Sequence, residues 1–330
     1  MQTLYVSQQK CYVALQQESL IVKQGESILG EVQLPLLEQV LIFGTSQLST
    51  QAIRACLWRN IPIAFLSRMG HCYGRILPIS QGYRQLSRYQ QKLSLEENLI
   101  TARAIVQGKL KNSRVLLRRQ RKRSESESLQ AVLSSLDYLA SQATQAENKE
   151  RLMGFEGAAA AQYFSVWAEC LTNSDFVFTA RSRRPPGNPV NAMLSFGYQV
   201  LWNHLLALIE FQGLDPYYAS LHQADDGHAA LASDLIEEFR APIVDSLVLW
   251  LINTRTIDAK NDFEPRGGGC FLNDTGRKKY SQAFVRRMEE EVQNDAGEKQ
   301  PRWSLLMQQV KAYKQFVYNP SHQYKPYQIK

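Results

Sequence analysis

The side chains best suited to chemistry gather between positions 221 and 240. His222 and His228 lie in Leu221-His222-Gln223-Ala224-Asp225-Asp226-Gly227-His228, and Ser233-Asp234-Leu235-Ile236-Glu237-Glu238-Phe239-Arg240 follows closely. Imidazoles with several carboxylates form a donor set for a divalent cation, and hard oxygen ligands favour magnesium or manganese over zinc. Asp234 and Glu237 are three residues apart, so on a helix they project from one side while Leu235 and Phe239 anchor the other. A further ligand must come from elsewhere. Glu156 is the candidate, because Phe155-Glu156-Gly157-Ala158-Ala159-Ala160-Ala161-Gln162-Tyr163-Phe164 sets one carboxylate at the start of a helix of small residues. Small side chains allow close helix packing, which carries Glu156 inward, where an unpaired charge is costly and a cation would satisfy it. The competing reading is plain: acids that solvate a surface helix, and a first-turn glutamate favoured by the helix dipole.

Two basic segments supply a second kind of chemistry. Lys109, Lys111, Arg114, Arg118, Arg119, Arg121, Lys122 and Arg123 occur with no acid among them. On a helix Lys111, Arg114 and Arg118 share one face, a stripe suited to phosphates and equally compatible with a solvated surface. Arg181-Ser182-Arg183-Arg184-Pro185-Pro186-Gly187-Asn188-Pro189 is held extended by its prolines, so Arg181, Arg183 and Arg184 can grip a backbone, unless the segment is an exposed linker. Neither cluster interleaves aromatics as a single-strand stacking surface does, which favours duplex phosphates and a strongly salt-dependent affinity.

The elements that position these residues divide the chain in two. Up to about Ile79, short apolar runs such as Leu4-Tyr5-Val6 and Val40-Leu41-Ile42-Phe43 are separated by polar or Gly-containing breaks, which reads as strands joined by tight turns. One helix interrupts them, capped by Ser49 and stopped before Pro62. From about Gly82 the pattern is helical. The expected helices run from Leu86 to Arg121, Leu129 to Gln145, Phe155 to Cys170, Val190 to Phe211, Ala229 to Phe239, Ile243 to Asn253, Lys278 to Val292 and Trp303 to Tyr318. Arg266-Gly267-Gly268-Gly269 and the tail from Asn319 read as loops. The expected fold class is therefore α+β, with a small β-rich domain over 1–82 carrying one helix and a larger, mainly α-helical catalytic domain over 83–330.

Composition is globular, with 44% apolar and 21% charged residues among 330. The five cysteines are odd in number and lack zinc-knuckle spacing, so neither a disulfide scaffold nor a structural zinc is expected. A net charge of +7 favours a polyanionic partner. The first residues lack a signal-peptide pattern and no run approaches roughly 18 uninterrupted apolar residues, which points to the cytoplasm.

Taken in order, five fragments resemble a known family. They are Gly154-Phe155-Glu156-Gly157, Arg183-Arg184-Pro185-Pro186-Gly187-Asn188-Pro189-Val190-Asn191-Ala192-Met193-Leu194-Ser195, Gly213-Leu214-Asp215-Pro216-Tyr217-Tyr218, Leu221-His222, and Asp234-Leu235-Ile236-Glu237-Glu238-Phe239-Arg240. Their order and spacing resemble the CRISPR-associated protein number one family, the spacer-acquisition integrases of prokaryotic adaptive immunity, over essentially the whole chain. The resemblance implies a metal triad falling on Glu156, His222 and Glu237, with Asp234 supporting it, and a Mn2+ or Mg2+ cofactor. It implies insertion of spacer DNA by attack of its 3′ hydroxyl on a repeat phosphodiester, with His222 neutral to coordinate. It also implies a homodimer built through the β-rich domain, and the small CRISPR-associated protein number two as the partner bridging two dimers. A stand-alone metal-dependent nuclease, or a non-catalytic DNA-binding scaffold, would carry many of the same residues. Where the family commonly has a glycine and an aromatic before Leu-His, this chain has Ala219-Ser220, and where its next loop is often basic, this one has Asp225-Asp226.

Overall fold

The computed structural model describes residues 2–6, 8–67, 72–78, 83–121, 126–223, 227–293, 297 and 299–329. His71, Lys122, Arg123, Asp225, Asp226 and the expected domain boundary at 82 lie outside the described residues.

The N-terminal strands form two sheets. The first has the order β1 (Gln2–Val6), β5 (Leu37–Phe43), β7 (Ile63–Leu66) and β8 (Cys72–Ile76), with the first three parallel and the last antiparallel. The second has the order β4 (Ser27–Gln33), β3 (Ser19–Gln24), β2 (Tyr12–Gln16) and β6 (Gln47–Leu48). The run Val40-Leu41-Ile42-Phe43 is uninterrupted because β5 is covered on both faces, as parallel strands generally are. Val40 and Ile42 join a core with Val13, Leu20, Val22 and Ile63. Leu41 and Phe43 point the other way and join the core of the helical part, with Ala64 and Leu66. Helix α1 (Thr50–Trp58) is capped as expected, with the Ser49 side chain accepting from the Ala52 N–H at 3.2 Å.

Beyond it the chain is mainly helical, as the sequence predicts, but several bounds shift. The single helix expected from Leu86 to Arg121 is two, α2 (Tyr83–Gln91) and α3 (Leu95–Arg121). The break is a capping box: the Glu97 N–H donates to Ser94 Oγ at 3.1 Å, and the Ser94 N–H to Glu97 Oε2 at 2.7 Å. Helix α4 (Glu127–Thr144) follows. Helix α5 (Lys149–Ser165) begins at an Asn148 cap, two turns before Phe155, so Glu156 sits inside the helix and the first-turn dipole reading fails.

Helix α6 (Pro189–Phe211) runs through the centre of this part. It is long and apolar enough to cross a bilayer by length and composition, and 67% of that apolar window is buried inside the protein. Helix α7 (Ala230–Phe239) passes into α8 (Ser246–Asn253) through a π-helical turn at Arg240–Asp245. Every residue of α7 is buried, so the two-faced helix expected there is enclosed all round. The glycine loop is the turn of a hairpin, β9 (Phe263–Arg266) and β10 (Gly269–Leu272), made possible by φ of +54° at Gly267 and +75° at Gly268. Helix α9 (Asp274–Glu289), the short pair β11 (Glu291–Gln293) and β12 (Lys299–Pro301), and α10 (Arg302–Tyr318) complete the order. The tail from Asn319 is irregular but seated against the helices, with Tyr324 4% exposed.

Candidate active site

Three helices and one loop converge on a small group of charges. Helix α5 supplies Glu156, α7 supplies Asp234 and Glu237, and the segment before α7 supplies His222. The competing reading, acids on a solvated helix, fails here because Asp234 and Glu237 are 0% and 3% exposed. Buried carboxylates need partners, and those partners define the site.

Asp234 holds the histidine loop. Its Oδ2 accepts the N–H of Ser220 (2.7 Å) and of Leu221 (2.8 Å), and Oδ1 accepts the N–H of His222 (2.9 Å) and lies 2.8 Å from His222 Nδ1. This bond sets the ring's orientation and leaves Nε2 as its remaining donor atom. Burial disfavours the His222 cation, but the hydrogen bond and charge of Asp234, joined by Glu237, outweigh it and raise the pKa.

Glu156 and Glu237 meet at a cation of the chain itself. The Lys109 ammonium, on α3, contacts Glu156 and lies 2.5 Å from Glu237 Oε2. Arg240 Nη2 is 2.8 Å from Glu237 Oε1. Burial opposes ionisation of Glu237, yet Arg240, Lys109 and His222 together hold its pKa well below the ordinary carboxylate value. Among the described residues, no three His, Cys, Asp or Glu side chains are gathered closely enough to hold an ion unaided. The donors nevertheless suit a hard divalent ion in kind: two carboxylates drawn to one positive centre, and an imidazole oriented through its other nitrogen by a buried aspartate.

Behind this group lies a layer that the sequence reading missed. Asp245, at the end of the π-helical turn, accepts from Tyr163 Oη (2.8 Å) and Tyr198 Oη (2.5 Å). The Arg240 guanidinium lies over the Tyr198 ring at 4.6 Å. Arg240 is thus braced between Glu237 and an aromatic face. Arg181, Arg183, Arg184 and Arg240 line a groove of about 320 Å³ with Trp202 and His228. Arg183 and Arg184 are exposed, whereas Arg181 is anchored by Asn191 Oδ1 (2.9 Å) and Ser195 Oγ (3.1 Å).

The other sequence candidates fall elsewhere. His228 stands apart from the carboxylates, with Nε2 2.8 Å from Ser233 Oγ and its ring stacked on Trp202 at 5.8 Å. Arg114 pairs with Asp137 of α4 at 2.6 Å, and Arg118 is exposed on α3. Neither lines the arginine groove. Lys109 belongs to the same basic run but not to its stripe of Lys111, Arg114 and Arg118, and the structure places it among the carboxylates. The signal was its helix face: Lys109 is four residues from Ile105 and seven from Leu116, both buried, and opposite Lys111, Arg114 and Arg118.

With this geometry in view, comparison with known proteins is informative. The family model described as "CRISPR associated protein Cas1" matches residues 4–286. The chain is 32% identical over 340 residues to a CRISPR-associated endonuclease Cas1 of Chlorobaculum tepidum, covering 98% of this chain and 97% of that protein. It is 38% identical over 300 residues to a CRISPR-associated exonuclease Cas4/endonuclease Cas1 fusion of Geobacter sulfurreducens, covering 88% of this chain and 53% of the fusion. A second such fusion, from Rhodospirillum rubrum, is covered over 45% of its length, so the chain spans about half of these fused relatives. Among solved structures, one described as a partial Cas6-RT-Cas1–Cas2 complex superimposes with a TM-score of 0.86 at 25% identity, covering 100% of this chain and 99% of that one. A casposase bound to integration product shares the fold, at a TM-score of 0.74 and 21% identity over the whole of both chains. On the extent of these matches, the chain belongs to the Cas1 family of CRISPR-associated proteins.

Proposed function

We propose that this chain is an integrase of CRISPR adaptation that joins the 3′ hydroxyl ends of a spacer duplex to phosphodiesters of the repeat DNA. The observation that carries the reading is the convergence of Glu156 and Glu237 on one positive centre beside a His222 ring oriented by Asp234. Names among its relatives support it, since the related proteins are called Cas1 endonucleases and one similar structure is of a complex containing Cas2. On this reading the chain works in the cytoplasm as a homodimer through its β-rich part, with Cas2 bridging two dimers.

Glu156, His222 and Glu237 are the residues that would hold a manganese or magnesium ion. When bound, such an ion polarises the phosphodiester and stabilises charge developing on the pentacoordinate phosphorus. The chain's own residues do the rest. Asp234 keeps the imidazole in one orientation through Nδ1. Arg240 neutralises part of Glu237 and, with Arg181, Arg183 and Arg184, gives the neighbouring groove a positive wall that draws in a phosphate backbone. Arg114 and Arg118 are further backbone contacts along α3. The bond from phosphorus to the incoming 3′ oxygen forms as the bond to the repeat's 3′ oxygen breaks; one hydroxyl loses a proton and the other gains one, so no covalent protein intermediate is required.

The test mixes the protein with Cas2, Mn2+, a labelled duplex with free 3′ hydroxyls and a supercoiled plasmid carrying a repeat. Label joined to plasmid is expected, lost with chelator and reduced by roughly 100-fold or more in folded Glu156→Ala protein. Label that is only shortened would replace this reading with a stand-alone endonuclease. DNA that binds but stays untouched would make the chain a scaffold.

A further inference from the structure

Lys109 places a positive charge between the two carboxylates that would draw a divalent ion. Its side chain is 12% exposed, and its ammonium serves Glu156 and Glu237 together. With Arg240 on the other oxygen of Glu237, two positive and two negative side chains face one another, largely withdrawn from water. Glu237 Oε2 is buried, and the ammonium 2.5 Å away is the positive charge that faces it. A divalent ion drawn to these oxygens would meet the ammonium at contact distance, and like charges repel strongly where the dielectric is low. One of them must leave. Lysine is a point charge on a flexible four-carbon stem, so it can move without disturbing its helix. A small cavity of about 30 Å³ lies next to it, where Asp245 offers a carboxylate although Arg181, Arg183 and Arg240 also line it.

We propose that the Lys109 ammonium and the divalent ion are alternative occupants of the Glu156–Glu237 pair. Lys109 is a positioning residue: it holds the two carboxylates facing each other in the metal-free protein, then withdraws on loading. This inference rests on the metal reading given above.

Calorimetric titration of metal-free protein with Mn2+, in the absence of DNA, tests it with wild type, Lys109→Met and Lys109→Arg. Lys109→Met is expected to bind Mn2+ about tenfold more tightly, since no ammonium has to be displaced. Its melting temperature in chelator should fall below that of wild type and recover with Mn2+. Lys109→Arg keeps a cation and should bind no more tightly than wild type. Equal or weaker Mn2+ affinity in Lys109→Met, an equal gain in Lys109→Arg, or no binding by wild type and Lys109→Met alike, overturns the proposal. If Lys109→Met does not fold, Lys109→Gln is titrated against the same outcomes. Strand joining by wild type separates this idea from the one beneath it. Joining together with an unchanged Mn2+ affinity in Lys109→Met sinks the role of Lys109 alone, and a tighter affinity without joining sinks the integrase reading alone.

Discussion

Asp234, Glu237 and Glu238 share two turns of one enclosed helix, and each is kept in the interior by a different device. Asp234 is held by three backbone N–H groups and a histidine. Glu237 stays ionised between Lys109 and Arg240. Glu238 has no cation partner among the described residues; burial pushes its pKa up to about 8, so at neutral pH it is mostly protonated against the Tyr324 hydroxyl and the Tyr327 N–H. Charge removal at these positions should therefore have unequal effects. Asp234→Ala leaves three loop N–H groups without their acceptor and should destabilise the fold by about 3 kcal/mol or more, whereas Asp234→Asn, which still offers an oxygen, should lose less. Urea unfolding of both variants measures the difference. At this scale the sequence made the acids and His222 legible, through spacing and through resemblance. It hid Lys109, because a lysine within a basic run resembles its neighbours until its helix face is assigned.

Helix α3 is the element that joins the site to the rest of the molecule. On one face it carries Lys109 to the carboxylates and Asn112 to the C-terminal tail. The Asn112 amide donates to the carbonyls of Glu238 (2.7 Å) and Tyr327 (2.8 Å), and its oxygen accepts the Ile329 N–H (2.9 Å). Tyr327 stacks on Phe239 at 5.5 Å, and Pro326 lies so close to Gly108 that a Cβ there would meet it at 2.7 Å. The tail thus straps α3 to α7 behind the acids. Asn112→Ala removes the donor and acceptor that hold this strap and should cost about 2 kcal/mol, with the tail becoming the first site of proteolysis in a timed digest. Among helix starts, Ser49 and the Ser94-to-Glu97 box were both readable from sequence, yet the second was passed over inside a longer periodic stretch. The strap was not readable: a tail of tyrosines, prolines and polar residues has no periodicity to show where it packs.

Across the whole molecule, the first sheet is the common wall of two cores. One side of β5 closes the strand-rich part, and the other side is covered by the helices. At that seam His204 of α6 lies between Phe43 of β5 (5.3 Å) and Trp303 of α10 (4.4 Å), with neither ring nitrogen hydrogen-bonded to a described residue. Burial alone lowers its pKa to about 3. The unfolded chain takes up this proton near pH 6.5 and the folded chain does not. Stability is therefore complete above about 6.5 and falls by roughly 1.4 kcal/mol per pH unit down toward 3. Denaturant unfolding between pH 4.5 and 7.5 should show this slope in wild type and a shallower one in His204→Phe, which keeps the ring in the stack without the titration.

By itself the sequence determined the division into a β-rich and a helical part and most of the helices, and it picked out Glu156, His222, Asp234 and Glu237 as residues to look for together. Periodicity, caps and motif spacing are local properties, and they survive without coordinates. Only the tertiary structure decided that α7 is enclosed on every side, that Arg114 pairs with Asp137, and that Lys109 stands between two acids. Each of these depends on which surfaces meet across more than 20 residues of chain. Such meetings are set by packing and by the need of buried charges for partners, and neither leaves a pattern in neighbouring residues.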